Sequence, residues 1–187
     1  MSKVIIFPTD TVYGIGTPIF DIEGIKRIYE IKKRPKDKPL ACLCADLEQI
    51  KSIAYLNDKA IKLINKFLPG ALTLILKSKE DVFNKIGYKT IGVRIPNSKI
   101  ALNILKENGP MLTTSVNESG SVPLNEYDDI KKDYSDLVDY IYDTDSKSSN
   151  ISSTVLLIND DELKVLREGE ISLEDINKTI NNWKLIV

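Results

Sequence analysis

The amino-acid sequence predicts a single mixed α/β domain spanning residues 1–187, in which the strands of a sheet alternate along the chain with helices. Short apolar runs of strand length alternate along the chain with amphipathic segments of helix length. Polar loops follow several of the apolar runs, and ligand-binding loops commonly lie at such strand ends in α/β sheets. Because no repeat, linker or low-complexity segment divides the sequence, we expect one domain.

The composition limits the chemistry that the protein can perform. Hydrophobic residues make up 42% of the chain and charged residues 28%, which is ordinary for a globular protein. The formal net charge of −1 argues against non-specific nucleic-acid binding as the main activity, since such binding needs many uncompensated cations. The sequence contains no histidine, the commonest general base and metal ligand. Any reaction must therefore use other polar side chains, or a metal ion that arrives with a substrate.

The two cysteines, Cys42 and Cys44, are two positions apart, within and directly after a predicted strand. Side chains at this spacing face the same side of a strand and are poorly placed for an unstrained disulfide. We interpret both as small apolar core residues. No signal peptide and no apolar run of membrane length is apparent, so we expect a cytoplasmic protein that does not enter a membrane.

Residues 4–7 form the first apolar run and predict a buried strand. The strand leads into residues 8–16, Pro-Thr-Asp-Thr-Val-Tyr-Gly-Ile-Gly, which combine hydroxyls, one carboxylate and two glycines. Two interpretations remain open for this segment, a ligand-binding loop or a polar turn whose glycines supply special dihedral angles. It is not a phosphate-binding P-loop, because the Gly-Lys-Ser/Thr ending is missing.

Residues 32–40, Lys-Lys-Arg-Pro-Lys-Asp-Lys-Pro-Leu, contain five cations and one acid. They follow a predicted helix that Asp21 caps and that carries apolar side chains on one face. Pro35 and Pro39 predict a stiff loop beyond that helix. Lys32 and Lys33 can equally be explained as cations that bind the last carbonyl groups of the helix and interact favourably with its dipole. Arg34, Lys36 and Lys38 lie at or beyond the proline break, and they instead favour an anion-binding loop.

The rest of the chain continues the alternation of strands and helices. Further strands are predicted at residues 40–43, 72–76, 90–96, 138–142, 152–158 and 163–166. Further helices are predicted at residues 47–54, 57–68, 98–105 and 172–180, with Ser172 and Asp175 resembling a capping box. Arg94 lies near the end of its strand, where it is either a surface cation on an edge strand or a ligand-binding residue.

Residues 111–120 begin as a short strand and then carry four hydroxyl side chains, an amide, a carboxylate and a glycine. This pattern fits either a strand leading into an Asx-type turn or a group of neutral donors for phosphate or carboxylate oxygens. The acidic stretch at residues 118–145 is interpreted as a solvated face. Residues 144–150 are expected to form a mobile surface loop.

The polar loops together suit a polyanionic ligand. Their positive charges suit the negative charges of a nucleoside triphosphate, and a separate arginine is available for a carboxylate. The cations include Lys32, Arg34, Lys38, Arg94 and Arg167. Phosphoryl and nucleotidyl transfer depend on positioning and charge neutralisation more than on a side-chain nucleophile, which agrees with the lack of histidine. Spacing alone does not identify the substrate.

Six motifs in order along the chain resemble the signatures of the YrdC-like family. They occupy residues 8–16, 32–40, 94–96, 114–120, 153–155 and 166–169. The resemblance implies a twisted α/β sheet around a large, positively charged cavity. It also implies threonylcarbamoyl-AMP synthase activity, in which L-threonine, bicarbonate and ATP give threonylcarbamoyl-AMP and pyrophosphate. The product would pass to the tRNA threonylcarbamoyl transferase machinery that modifies adenosine 37 of tRNA.

The resemblance also carries family roles onto matching positions of this chain. The residues implied to grip the triphosphate and orient the carbamate are Lys32, Arg34, Ser115 and Asn117. Further contacts to ATP are implied for Lys38, Thr90 and Arg167. Contacts to L-threonine are implied for Thr11, Arg94, Thr113 and Ser153. Mg²⁺ would enter on the ATP phosphates without a protein ligand, and Leu43 departs from the family pattern where some relatives have a histidine.

Two other functions remain as alternatives at this point. One is a module that binds tRNA or double-stranded RNA, with the cationic loop as its phosphate contact. The net charge, the acidic stretch and the lack of interleaved aromatic residues argue against it, although weak tRNA binding remains an expectation. The other is a paralogue of the same fold that acts on another carbamoyl-type substrate, and the intact Lys-x-Arg and Ser-x-Asn pairs argue against that.

Overall fold

Ten strands form one mixed sheet in the described part of the chain, which comprises residues 2–144, 149–159, 163–180 and 185–186 of a computed structural model. The strands are β1 (Ile5–Phe7), β2 (Gly14–Pro18), β3 (Ala41–Leu43), β4 (Leu72–Lys77), β5 (Thr90–Arg94), β6 (Met111–Ser115), β7 (Tyr140–Ile141), β8 (Thr154–Ile158), β9 (Leu163–Arg167) and β10 (Leu185–Ile186). Their order across the sheet is β10-β9-β8-β4-β5-β3-β6-β2-β1-β7. The prediction of a mixed α/β fold is confirmed.

The two faces of the sheet differ in character because side chains alternate along each strand. In β4, the buried Leu72, Leu74 and Leu76 point into the main apolar core, whereas Thr73 and Ile75 lie on the opposite face. The neighbouring strands keep this alternation in register, so that Leu74 pairs with the buried Val93 and Ile75 pairs with Gly92. One face is therefore core, and the other carries small and polar side chains.

Seven helices flank the sheet in the described ranges. They are α1 (Ile22–Ile31), α2 (Leu47–Ile53), α3 (Asp58–Phe67), α4 (Glu80–Ile86), α5 (Lys99–Asn108), α6 (Tyr127–Tyr134) and α7 (Leu173–Ile180). The cap predicted at Asp21 is confirmed, because its side chain accepts from the Gly24 N–H. The sequence left two candidates for each of two further caps, Asn57 or Asp58 and Asn97 or Ser98, and the structure selects Asn57 and Ser98. Ser172 Oγ also accepts from the Asp175 N–H at 3.1 Å, which is one half of a capping box, whereas the Asp175 carboxylate accepts from the Ser172 hydroxyl at 2.7 Å.

Two helices were not expected from the sequence. Helix α4 buries only Val82 fully, and it ends at Gly87 in the left-handed region with φ 77°. Helix α6 lies inside the acidic stretch and buries only Ile130 and Tyr134. Short helices with one or two buried positions give a weak apolar periodicity, which explains why the pattern did not reveal them.

The described carboxyl-terminal helix belongs to the main core. Helix α7 packs against α3, and its Ile176 and Ile180 are buried within the main core cluster.

Cys42 and Cys44 are buried free thiols in the same cluster, which confirms the prediction for both. Within the described ranges, no helix has the length and apolar character needed to cross a membrane.

The structure bears on the sequence interpretations of Arg94 and of residues 144–150. Arg94 is not on an edge strand, because β5 lies between β4 and β3 in the interior of the sheet. Of the loop expected at residues 144–150, positions 145–148 lie outside the described residues. The backbone N–H groups of Ser149 and Asn150 donate to the carbonyls of Asp10 and Thr11, at 3.0 Å each.

Candidate functional site

A cavity of about 370 Å³ lies over the polar face of the sheet. Its floor comes from side chains of β3, β4, β5 and β6, and one wall comes from the loop after β1. Three arginines line it, and none of the described lining residues is acidic; the arginines are Arg34, Arg94 and Arg167. The cavity therefore combines a surplus of positive charge with a ring of neutral hydroxyl groups.

Seven of the eleven residues singled out from the sequence line this cavity. They are Thr11, Arg34, Arg94, Thr113, Ser115, Ser153 and Arg167. The other four lie elsewhere in the described structure, and each has a definite place. Lys32 and Asn117 are buried behind Ser115, whereas Lys38 and Thr90 are exposed outside the lining.

Lys32 is a buried lysine whose ammonium group is held by protein oxygen atoms. It follows α1 directly and is 1% exposed. Its Nζ donates to the carbonyls of Ser115 and Asn117 at 2.5 and 2.6 Å, and to Asn117 Oδ1 at 2.9 Å. These three acceptors match the three N–H bonds of an ammonium group. Lys32 therefore ties the end of α1 to the turn that follows β6.

The pKa of Lys32 is lowered to about 8, first by burial and second by the nearby charge of Arg34. The amine thus still carries its proton at neutral pH, and it can donate to all three oxygens. The interpretation of Lys32 as a cap for its own helix does not hold, since its Nζ contacts lie on a distant segment of the chain.

Asn117 orders the hydroxyl group of Ser115. Both hydrogens of its Nδ2 are used, because this atom donates to the carbonyls of Glu118 and Ser121 at 2.8 and 2.7 Å. Its Oδ1 accepts from Lys32 and, at 2.6 Å, from Ser115 Oγ. The Ser115 hydroxyl proton therefore points away from the cavity, and its oxygen lone pairs remain for a ligand.

Arg34 is fixed by the loop in which it lies. Its Nε donates to the Lys38 carbonyl at 2.9 Å, and its Nη2 donates to the Pro39 carbonyl at 3.0 Å. The chain thus folds back on itself between the two prolines and holds the guanidinium beside the cavity. Lys38 contributes its carbonyl to this arrangement, a role that the sequence interpretation did not include.

Two tyrosines hold the same loop from outside the motifs. Tyr29 Oη donates to the Lys38 carbonyl at 2.9 Å and lies 3.0 Å from Tyr88 Oη. Tyr88 Oη accepts from the Leu40 N–H at 3.1 Å. Since Tyr29 uses its only proton on Lys38, Tyr88 must donate to Tyr29. These hydrogen bonds form a continuous chain from Leu40 through Tyr88 and Tyr29 to Lys38. Burial, and to a smaller extent the hydrogen bond to Tyr88, raise the pKa of Tyr29.

Arg94 leaves the end of β5 and is 6% exposed. Its Nε donates to the Gly70 carbonyl at 2.9 Å, its Nη1 donates to Thr11 Oγ1 at 2.8 Å, and its Nη2 pairs with Asp10 Oδ1 at 2.6 Å. The loop that contains Asp10 and Thr11 and the turn at Gly70 therefore both meet the end of β5 at this guanidinium. The sequence stretch that contains Asp10 suggested a ligand loop, but nothing in it indicated the ion pair.

Ser153 and Arg167 form the opposite wall of the cavity. Arg167 donates to the Ser153 carbonyl from both Nε and Nη2, at 3.0 and 2.9 Å. Thr73 Oγ1 lies 2.8 Å from Ser153 Oγ. Burial, and then the like charge of Arg94, lower the pKa of Arg167. The two arginines therefore repel each other across this part of the cavity, which favours an anion between them.

Comparison with known proteins assigns the chain to a family. The family described as telomere recombination, which groups Sua5, YciO and YrdC, matches residues 1–169. The protein belongs to this family, as the sequence motifs predicted. A relative from Methanocaldococcus jannaschii, named putative threonylcarbamoyl-AMP synthase, is 38% identical over 94% of this chain and 84% of its own length.

The solved structures agree with this assignment. The Pyrococcus abyssi Sua5 structure in complex with L-threonine is 33% identical, with a TM-score of 0.89 over 98% of this chain. Escherichia coli YciO is 30% identical, with a TM-score of 0.84 over 94% of this chain and 87% of its own. The fold predicted from the family resemblance is thus confirmed.

The relatives differ in length. The Bacillus subtilis threonylcarbamoyl-AMP synthase is 35% identical over 96% of this chain, yet this chain spans only 53% of that protein. It likewise spans 55% of the P. abyssi Sua5 chain.

Proposed function

We propose that the protein is a threonylcarbamoyl-AMP synthase. The observation that carries this proposal is a cavity with three fixed arginines and a set of hydroxyl groups, in a chain that is 38% identical to a relative named for this activity. L-Threonine and bicarbonate combine to a carbamate with loss of water. A carbamate oxygen then attacks the α-phosphorus of ATP, and pyrophosphate leaves.

The proposed roles follow the positions of the side chains. Arg34 faces the triphosphate, and Ser115, whose oxygen can accept from the carbamate N–H, orients the carbamate. Lys32 and Asn117 hold Ser115 in place from behind. The L-threonine lies against the far end of the cavity, with its contacts supplied by Thr11, Arg94, Thr113 and Ser153. Arg94 takes the carboxylate, because two N–H groups of a guanidinium can bind both carboxylate oxygens.

Arg167 completes the nucleotide site from the cavity wall. Lys38 and Thr90 are also proposed to contact ATP, which for these two requires the nucleotide to extend beyond the described cavity lining. Mg²⁺ enters as the magnesium complex of ATP, and no protein ligand is assigned to it.

Positioning and charge supply the proposed rate enhancement. Holding the carbamate and the α-phosphorus in line converts a bimolecular encounter into a step within one complex. Fixed cations stabilise the charge that develops on the leaving pyrophosphate. Neither effect needs a histidine.

The partners and compartment are part of the same proposal. The product is passed to the tRNA threonylcarbamoyl transferase machinery, where N6-threonylcarbamoyladenosine is made at position 37 of tRNA. Direct binding of tRNA is weak and secondary. The compartment is the cytoplasm, where buried thiols such as Cys42 and Cys44 stay reduced.

The test is release of pyrophosphate by the purified protein. We expect release that requires L-threonine, bicarbonate and ATP together; release without L-threonine would contradict the proposal and favour another carbamoyl-type substrate. Arg34→Ala should reduce turnover by roughly 10²–10³, the usual loss for one fixed transition-state donor. Lys36→Ala, in the same loop but exposed, is the matched control and should retain turnover.

A further inference from the structure

Leu43 lies beside Arg94 on the cavity face of the sheet. It is the last residue of β3, and it pairs with Arg94 in the parallel ladder between β3 and β5. One position earlier, Cys42 pairs with Val93, and both of these residues belong to the main core. Because side chains alternate along a strand, Leu43 and Arg94 share the opposite face, and both line the cavity.

A ligand that touches both Arg94 and Thr113 must cross β3. In the sheet, β3 lies between β5, which ends at Arg94, and β6, which carries Thr113. The cavity-facing side chains of β3 are Ala41, which pairs with Thr113, and Leu43, which pairs with Arg94. An amino acid held between the two proposed contacts therefore lies over Ala41 and Leu43, and Leu43 offers the larger apolar surface.

A second apolar core holds Leu43 in place. This second core comprises eight buried residues of β1, β3, β6, α5 and the turn after β3, namely Ile5, Phe7, Leu43, Ala45, Ala101, Ile104, Leu105 and Met111. Among these described members, Leu43 alone also lines the cavity. It is 4% exposed, so only a small part of its surface faces the cavity. Since a close-packed side chain cannot retreat without disturbing its neighbours, Leu43 is a firm apolar wall of small area.

The other proposed contacts of the amino acid are made by polar groups. Arg94 takes the carboxylate, and the hydroxyl groups of Thr11, Thr113 and Ser153 suit its remaining polar atoms. The γ-methyl group of L-threonine gains nothing from such groups. Burying it against an alkyl side chain is favourable, and the small exposed area of Leu43 suits a group of this size.

We propose that Leu43 determines the specificity for L-threonine by contacting its γ-methyl group, which L-serine lacks. The preference arises from this apolar contact and not from the hydroxyl group, which both amino acids carry. The inference rests on the proposed function, since it requires the amino acid to bind between Arg94 and Thr113.

The test compares L-threonine with L-serine as substrates and as ligands of the full chain. Pyrophosphate release with bicarbonate and ATP gives kcat/KM for each amino acid, and equilibrium dialysis with the radiolabelled amino acids gives their dissociation constants. One methyl group in an apolar pocket changes such a ratio by roughly 10–200-fold, so we expect the wild type to prefer L-threonine by at least about tenfold. In Leu43→Ala this preference should fall by about tenfold, through a higher KM for L-threonine and little change in KM for L-serine.

Leu105→Ala is the matched control. Leu105 lies in α5, is fully buried in the same second core and is not among the described lining residues. This variant loses the same side-chain atoms from the same core, yet the ratio of the two amino acids should be unchanged. Leu43→Val removes less of the wall and should move the ratio in the same direction by a smaller factor. Thermal melting identifies the folded variants, and Leu43→Val decides the test if Leu43→Ala does not fold.

Three results would overturn the proposal. The ratio is unchanged in the folded Leu43 variants, or it falls equally in Leu105→Ala, or the wild type uses L-serine as readily as L-threonine. If the wild type neither binds L-threonine nor releases pyrophosphate with it, the proposed function fails. Turnover of L-threonine with an unchanged ratio in the Leu43 variants removes only the role of Leu43.

Discussion

Replacing Lys32 with methionine separates two roles that this lysine could have. The substitution keeps most of the side-chain stem and removes the ammonium group. If Lys32 ties the turn after β6 to the end of α1, the protein loses stability without any ligand present. If Lys32 instead grips the triphosphate directly, the unliganded protein is unaffected and only the affinity for ATP falls.

The expected loss can be estimated from the contacts of Lys32 Nζ. The carbonyls of Ser115 and Asn117 lose a donor, whereas Asn117 Oδ1 keeps the bond from the Ser115 hydroxyl. An unsatisfied buried acceptor costs about 1–3 kcal/mol, and relief of the buried charge offsets part of this, so we expect a net loss of about 1–3 kcal/mol. For a chain of this size, that loss lowers Tm by roughly 3–10 °C.

The assay is thermal unfolding of the unliganded protein, combined with pyrophosphate release. We expect Lys32→Met to melt at a lower temperature and to lose turnover by about 10²-fold, because Ser115 moves out of line. Lys36→Met is the control, since Lys36 is exposed in the same loop. An unchanged Tm with a raised KM for ATP would refute the structural tie and support a direct phosphate contact.

Three further predictions follow from the site. Tyr88→Phe removes the hydroxyl that accepts from Leu40, and we expect KM for ATP to rise roughly tenfold while Tyr55→Phe, an exposed control, has no effect. Arg94→Lys keeps the charge but loses the three-way contact, so KM for L-threonine should rise about 10–100-fold and KM for ATP should not. Because the pKa of Lys32 is lowered from 10.5 to about 8, the unfolded chain retains a proton between these pH values that the folded chain has lost. The free energy of unfolding of the wild type should therefore rise with pH over that interval relative to Lys32→Met, as measured by urea unfolding.

The sequence allowed most of the strands, the caps and the cavity residues to be predicted, because each leaves a local signal. Asp21, Asn57 and Ser98 precede amphipathic segments, and their cap bonds involve residues only three positions away. The motif resemblance located the cavity side chains because their order along the chain is characteristic of the family.

The contacts that hold these side chains left no such local signal. Tyr29 and Tyr88 are 59 positions apart, and Lys32 is 85 positions from Asn117. Asp10 meets Arg94 across 84 positions. Only the packing of the sheet and helices brings these pairs together, and their residue types are common on any protein surface. The supporting contacts behind the site therefore required the structure.

The cations of the site share one property that bears on its function. Lys32, Arg34, Arg94 and Arg167 each donate to at least one backbone carbonyl, and only Arg94 is paired with a carboxylate in the described part of the chain. A carbonyl dipole fixes a cation in place without cancelling its charge, whereas a carboxylate does both. The three arginines of the cavity are thus held by protein contacts, and Arg34 and Arg167, which we propose to bind ATP, keep their full positive charge. Asp10 offsets the positive charge only at Arg94, where we propose that the carboxylate of L-threonine binds.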